Sequence, residues 1–284
     1  MKPVQRFLNQ PKAFWANVRL ISEKVGYTQR GTKQIKVPTL DQLQFTLSKL
    51  NLSPGHLLDK NSKPTKFGHL LLDYFKVRAD KLNNEVEPNL MNAQEAEQVF
   101  QQHKKKLSPT CPLPMNKQKG KKKSPAYLTG LVNMIIEANA GNFSCDFDPR
   151  QLTTITRNGS PLRTLARRVD GCFPSTVNPI AVWEIKEYYY TTTFGSRVAD
   201  GIYETLLDGM ELEELRRSEK IHITHYLFID AHYTWWDCGR SYLCRIFDML
   251  HMGYVDEVLF GREVVARLPV LVRKWVKECK KKAR

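Results

Sequence analysis

Residues 169–203 read VDGCFPSTVNPIAVWEIKEYYYTTTFGSRVADGIY, and the reading of this stretch decides the fold. The apolar, β-branched run from Ile180 to Tyr188 predicts a strand, and Glu184 and Lys186 stand two residues apart within it. Side chains at i and i+2 of a strand share a face, so Glu184 and Lys186 project together while Ile185 faces the other way. An unpaired carboxylate or ammonium is costly to bury on such a strand. The pair is therefore either a structural ion pair or part of a polar site that uses both charges. Upstream, Asp170-Gly171 closes another predicted strand, and Pro174 and Pro179 mark the turn between the two. A hairpin of this kind brings Asp170 beside Glu184 and Lys186. Two clustered carboxylates repel unless positive charge sits between them, a role that suits a hard divalent cation such as Mg²⁺. A lysine beside such an ion can position or polarise a bound water.

The segments on either side predict more elements. Residues 125–139 form an amphipathic helix, with Ser124 as N-cap, Pro125 in the first turn, and Leu128, Leu131, Val132, Ile135 and Ile136 on its apolar side. A first strand runs over 152–157, Asn158-Gly159 is a two-residue turn, and a second strand over 162–169 delivers Asp170. After the Ile180–Tyr188 strand come a helix from Ser196 to about Arg216, an apolar strand over 221–231, and helices over 241–251 and 261–275. Trp235 and Trp236 fall in a loop, as packing anchors or as contacts to DNA or a second subunit.

Asp170, a spacer, then Glu184-Ile185-Lys186 resembles the signature of the PD-(D/E)XK nuclease superfamily, and the resemblance covers roughly residues 125–260. The predicted order of helix, three strands, helix and strand is the order of that superfamily's core. The resemblance implies a mixed α/β fold: a helical N-terminal domain joined to a restriction-endonuclease-like core, a mixed sheet flanked by helices. It implies Mg²⁺-dependent hydrolysis of DNA phosphodiester bonds. Asp170 and Glu184 would be the metal ligands with the carbonyl of Ile185, and Lys186 would orient the attacking water. Glu137, near the end of the 125–139 helix, matches a glutamate that the superfamily often carries near its active site; its other reading is a solvated helix-end carboxylate. No His or Cys lies within the motif, so a zinc or iron site is not indicated.

The charge is divided unevenly. The 284-residue chain carries a net +15, and residues 1–124 hold 23 Lys and Arg against 9 Asp and Glu, while residues 125–284 hold 21 against 20. A basic half beside a near-neutral half predicts contact with a polyanion, read here as double-stranded DNA. The N-terminal half predicts helices over 11–24, from Thr39, over 65–82 and over 92–104. Between the first two lies the basic loop YTQRGTKQIKVP, from which Tyr27, Gln29, Arg30, Lys33 and Lys36 are the expected DNA contacts. Two arrangements fit: a helix-turn-helix relative, or a helical bundle that packs on the core and contributes only phosphate contacts. Residues 1–103 then form a basic helical domain, 104–124 a Lys/Pro-rich linker or loop, and 125–284 the nuclease domain. Beyond the site strand, Tyr190 and Thr192 are candidate DNA contacts, although β-propensity alone also selects Tyr and Thr. Arg197, opening the next helix, is a candidate phosphate contact.

Several classes are excluded. No apolar run approaches the ~18 residues of a membrane-spanning helix. The first residues lack the pattern of a secretory signal, and the six scattered cysteines form no C-x-x-C pair, so a cytoplasmic, reduced protein is expected. There is no phosphate-binding G-x-x-x-x-G-K-[ST] loop, so the chain drives no ATP-dependent motor. The size and separate basic domain fit a type II restriction endonuclease, which implies a homodimer and a cognate DNA methyltransferase as a partner. A structure-specific or repair nuclease and a non-catalytic DNA-binding protein are the alternatives.

Overall fold

The computed structural model describes residues 1–29, 31–118, 121–191 and 194–282. In chain order the main elements are α1 (Lys12–Val25), α2 (Leu40–Lys49), α3 (Lys66–Lys81), α4 (Ala93–Leu107), β1 (Met115–Gln118), β2 (Lys121–Pro125) and α5 (Tyr127–Ala140). They continue with β3 (Thr154–Arg157), β4 (Ser160–Thr164), β5 (Gly171–Phe173), β6 (Ala181–Glu187), α6 (Ser196–Glu219), β7 (Thr224–Asp230), α7 (Arg240–Met252), β8 (Glu257–Phe260) and α8 (Glu263–Lys282). The fold is mixed α/β.

Local chemistry sets several boundaries. The side-chain oxygens of Thr39 and Asn92 accept from the backbone three residues on, and Gln42 and Glu95 reach back to complete capping boxes. Gly26 ends α1 at a φ of 89°. Asn158 and Gly159 both take positive φ, 52° and 80°, which is the geometry that closes the two-residue β3–β4 hairpin.

The main sheet has the order β5-β6-β7-β8, with β5 antiparallel to β6 and the other neighbours parallel. Both parallel connections carry a helix, α6 between β6 and β7 and α7 between β7 and β8. The two central strands are covered on both faces. Trp183, Tyr226 and Phe228 pack with α5 and α8 on one side, while Leu227 and Ile229 join α7 and the N-terminal helices on the other. Val182, Glu184 and Lys186 therefore point away from Trp183 and Ile185, the alternation expected of the strand.

The structure corrects the expected strands. The second strand ends at Thr164, because the chain beyond it turns to α6, where the Ala166 amide donates to Glu211 and Arg167 to Asp208. β3 and β4 form a separate two-stranded sheet, and Asp170 precedes the three-residue β5 instead of ending a longer strand. β8, the fourth strand of the main sheet, is absent from the expected order; a four-residue buried run carries no periodicity to reveal it. Ser124 and Pro125 belong to β2, and Ala126 precedes α5 without a side-chain cap.

The N-terminal helices are not a detached module. Phe7, Phe14, Val18, Leu71, Tyr74 and Phe75 share one core with Leu227, Ile229, Val258, Phe260 and residues of α7. Inside this seam Arg78 donates to Asp248 at 3.1 Å and to Ser22 at 3.0 Å, and Tyr74 donates to Asp248 at 2.5 Å. The segment between α1 and α2 is an extended hairpin, with Thr28 bridging Ile35 and Gln29 donating to Gln34, so these two helices are not joined by the tight turn of a helix-turn-helix. α4 packs on α5, and β1 and β2 pair within the Lys/Pro-rich stretch read as a linker. Among the described residues no helix is long and apolar enough to cross a membrane.

Candidate active site

β6, the start of β5 and the N-terminal half of α6 enclose a polar cavity of about 440 Å³. Asp170, Ile185, Lys186, Glu187, Tyr188, Asp200 and Glu204 are among its lining residues. Asp170 is fixed by the backbone around it. Its Oδ2 accepts from the Ile185 amide at 2.8 Å, and its own amide donates to Glu184 Oε1 at 3.2 Å. Glycine at 171 is required, because a Cβ there would lie 2.3 Å from the indole of Trp183. A second glycine, Gly201 on α6, lets the helix approach the site: its Cβ would sit 3.1 Å from the Tyr188 hydroxyl and 3.2 Å from Lys186 Cδ.

The Lys186 ammonium stands among three carboxylates. It donates to Glu184 Oε2 at 2.6 Å and lies 3.6 Å from Glu204 and 3.8 Å from Asp170. Glu184 is fully buried and does not line the cavity; the ammonium covers its Oε2. On the far side of Glu184, Arg167 Nη1 lies 2.9 Å from Oε1. Neither Arg167 nor the α6 carboxylates Glu204 and Asp208 stood out in the sequence. Their spacing from the motif has no short-range signature, and α6 brings them in from the next element.

Four carboxylates, Asp170, Glu184, Glu204 and Asp208, meet two cations, Lys186 and Arg167. Burial and the Glu184 charge push Asp170 up to about 6 and Asp208 up to about 7. Burial also opposes ionisation of Glu184, but the adjacent Lys186 and Arg167 outweigh it and hold that carboxyl below its usual range. Burial disfavours the charged form of Lys186, yet Glu184 and Asp170 overcome it and keep the ammonium protonated to higher pH than usual. The site is thus short of positive charge when all its carboxylates ionise.

A divalent cation is a chemical fit to this imbalance. Among the described residues no three His, Cys, Asp or Glu side chains converge as a ready-made metal site. Two carboxylates and a backbone carbonyl are nonetheless a donor set that suits Mg²⁺, which keeps several of its waters. Ile185 packs its side chain on the opposite face of the sheet, so it meets the cavity with its backbone.

The remaining candidates lie elsewhere. Glu137 does not line the cavity; it accepts from the amide and hydroxyl of Thr110 and ties the end of α5 to the segment after α4. Two helix N-termini meet the cavity: that of α6, through Ser196, and that of α5, where half-buried Glu187 accepts from the amides of Leu128 and Thr129. Tyr27 is half-buried, with the guanidinium groups of Arg78 and Arg245 each 5.7 Å from its ring centre. Gln29 is exposed, Lys33 pairs with Asp237 at 2.8 Å, and Lys36 donates to the Val25 carbonyl at the end of α1. Tyr190 is exposed and its hydroxyl meets that of Tyr127 at 3.3 Å. Arg30, Thr192 and the side chain of Arg197 lie outside the described residues. Trp235 and Trp236 are buried, and the Trp235 indole donates to the Lys186 carbonyl at 3.2 Å, so they support the site strand from behind.

No curated protein and no solved structure matches the chain. Residues 1–85 match one family model, Domain of unknown function (DUF7690). The boundary between the matched segments falls at the short turn Glu87–Asn89, so α4 goes with α5, on which it packs. Residues 91–275, which hold every residue of the cavity, match the model described as Domain of unknown function (DUF7687), and the chain belongs to that family.

Proposed function

We propose that the chain is a metal-dependent endonuclease that hydrolyses DNA phosphodiester bonds, of the PD-(D/E)XK type and with the double-strand specificity of a type II restriction enzyme. The observation that carries this reading is the gathering of Asp170 and Lys186 on one polar cavity between β6 and α6, with Glu184 buried directly behind the Lys186 ammonium. Asp170, Glu184 and the Ile185 carbonyl would hold Mg²⁺. Bound there, the ion would supply charge for the phosphoryl oxygens and a bound water more acidic than bulk water. The chain's own residues do the rest. Asp170 is held by the Ile185 amide in one orientation. Lys186 keeps its proton and presents a point charge to the water or to a phosphoryl oxygen. Withdrawal of its ammonium from Glu184 uncovers the buried carboxylate. The net charge of +15 favours a polyanionic substrate.

The test is incubation of the purified protein with plasmid DNA and Mg²⁺, alongside Asp170→Ala and Glu184→Ala. Discrete fragments support restriction-type cleavage, and smearing or nicking supports a less specific or structure-specific nuclease. Both variants are expected to lose cleavage and keep DNA binding in a gel-shift assay; near-normal cleavage by either one sinks the site assignment. A homodimer and a cognate methyltransferase belong to the same proposal, read by sedimentation and by protection of methylated plasmid.

The 2.6 Å pairing of Lys186 with Glu184 favours a second reading, a DNA-binding protein in which the pair is structural. Absence of cleavage across a range of DNAs and divalent metals, with binding intact, selects it.

A further inference from the structure

We infer that Arg167 is the positioning residue of this site: it anchors one oxygen of Glu184 so that the other stays turned toward Lys186 and toward a cation bound beside it. The inference rests on the endonuclease reading. Glu184 uses its two oxygens differently. Oε1 receives Arg167 Nη1 at 2.9 Å and the Asp170 amide at 3.2 Å. Oε2 receives only the Lys186 ammonium, at 2.6 Å, among the described residues. A carboxylate gripped at one oxygen by a guanidinium and a backbone amide cannot turn about its terminal torsion, so the second oxygen is held in one direction.

Arg167 is itself held. Its Nη1 lies 2.5 Å from Asp208 Oδ2 and its Nη2 lies 3.3 Å from Glu204 Oε2, both carboxylates on α6. Nη1 thus meets both Glu184 and Asp208 while Nη2 meets Glu204, and the guanidinium plane fixes the directions of these donors, which the freely rotating head of a lysine does not. Asp208 is fully buried, and among the described residues its Oδ1 has no hydrogen-bond partner. A link that served only to pin the 165–170 loop to α6 would be as stable, or more so, with apolar residues in place of the ions. A guanidinium and a buried carboxylate with an unpaired oxygen are explained by the need to orient Glu184. The loop and α6 thus act on the metal-ligand position from behind, outside the Asp-spacer-Glu-x-Lys motif.

Two variants test this on the full-length protein: Arg167→Lys, which keeps the charge and loses the fork, and Arg167→Met/Asp208→Leu, which replaces the ion pair by apolar side chains of similar size. Thermal melting establishes folding, a gel shift without metal reads DNA binding, and calorimetric titration reads Mg²⁺ affinity independently of cleavage. The expected result is folded variants with wild-type metal-free DNA binding and Mg²⁺ affinity weakened about 10–100-fold, the loss typical when a metal ligand's orienting partner is removed. The Mg²⁺ needed for half-maximal cleavage should rise with it. Folded variants with unchanged Mg²⁺ affinity overturn the inference while leaving the nuclease reading intact. Failure of both variants to fold assigns Arg167 to stability alone and also overturns it. A wild-type protein that neither binds Mg²⁺ nor cuts DNA removes the nuclease reading, and this inference with it.

Discussion

Replacing Lys186 by arginine separates a catalytic lysine from a structural one. Lys186 is 7% exposed, its Nζ lies 2.6 Å from Glu184, and its stem passes Gly201 on α6, where even a methyl group would come within 3.2 Å of Cδ. Arginine keeps the positive charge but must fit a wider, planar head into that sleeve. Overpacking of this kind costs about 1–3 kcal/mol of stability, to be read as a lowered melting temperature. If the pair is structural, guanidinium still pairs with Glu184 and cleavage by the folded protein is unchanged. If Lys186 acts on the attacking water, arginine misplaces the charge. Cleavage should then fall about a hundredfold or more, which is about 2.7 kcal/mol of barrier. A plasmid-cleavage time course, run well below the variant's melting temperature with a gel shift on the same preparation, measures the two effects apart. Wild-type cleavage with arginine at 186 refutes the role of Lys186.

Other outcomes follow from the same geometry. Gly201→Val should depress cleavage more than it depresses melting, because the added side chain meets Lys186 and Tyr188 rather than the core; equal cleavage would show that the cavity tolerates the intrusion. Binding to duplex DNA should weaken steeply with salt, and Lys104, Lys105 and Lys106, exposed at the end of α4, are the first residues to replace by Gln. Each lost phosphate contact should reduce the log–log slope by about 0.9, and an unchanged slope removes these lysines from the interface. Burial pushes Asp230 up to about 7, so the folded chain holds a proton there that the unfolded chain releases. Its contribution to stability therefore declines as pH rises from about 4 to about 7. In urea melts Asp230→Asn should gain on the wild type across that window and level off above it; parallel curves would contradict the assignment.

The sequence carried the site strand clearly. Alternation around Glu184, Ile185 and Lys186 placed the charged pair on one face and Ile185 on the other, and both positions hold. The helix starts at Thr39 and Asn92 and the Asn158-Gly159 turn were readable for the same reason: each depends on atoms within four residues. What was lost lay farther apart in the chain. β8 is short and buried, and β1 and β2 are written in lysines that read as a flexible tether. The partners that Lys33 and Lys36 take within the fold, Asp237 and the Val25 carbonyl, are likewise announced by no local pattern, and the Lys33 side chain stays exposed.

By itself the sequence determined the mixed α/β class, the amphipathic helices and the strand that bears Glu-x-Lys, because hydrophobic period and turn chemistry are local properties. Only the tertiary structure decided which charges meet. It brought Arg167 from a loop and Glu204 and Asp208 from α6 against Glu184, turned Glu137 toward Thr110, and packed the N-terminal helices into the core beneath β7 and β8. The physical reason is that a buried charge takes whichever partner the packing of distant elements delivers. At the site the energy of that choice depends on distances of 2.5–3.8 Å between residues up to 41 positions apart, which no local window of the sequence contains.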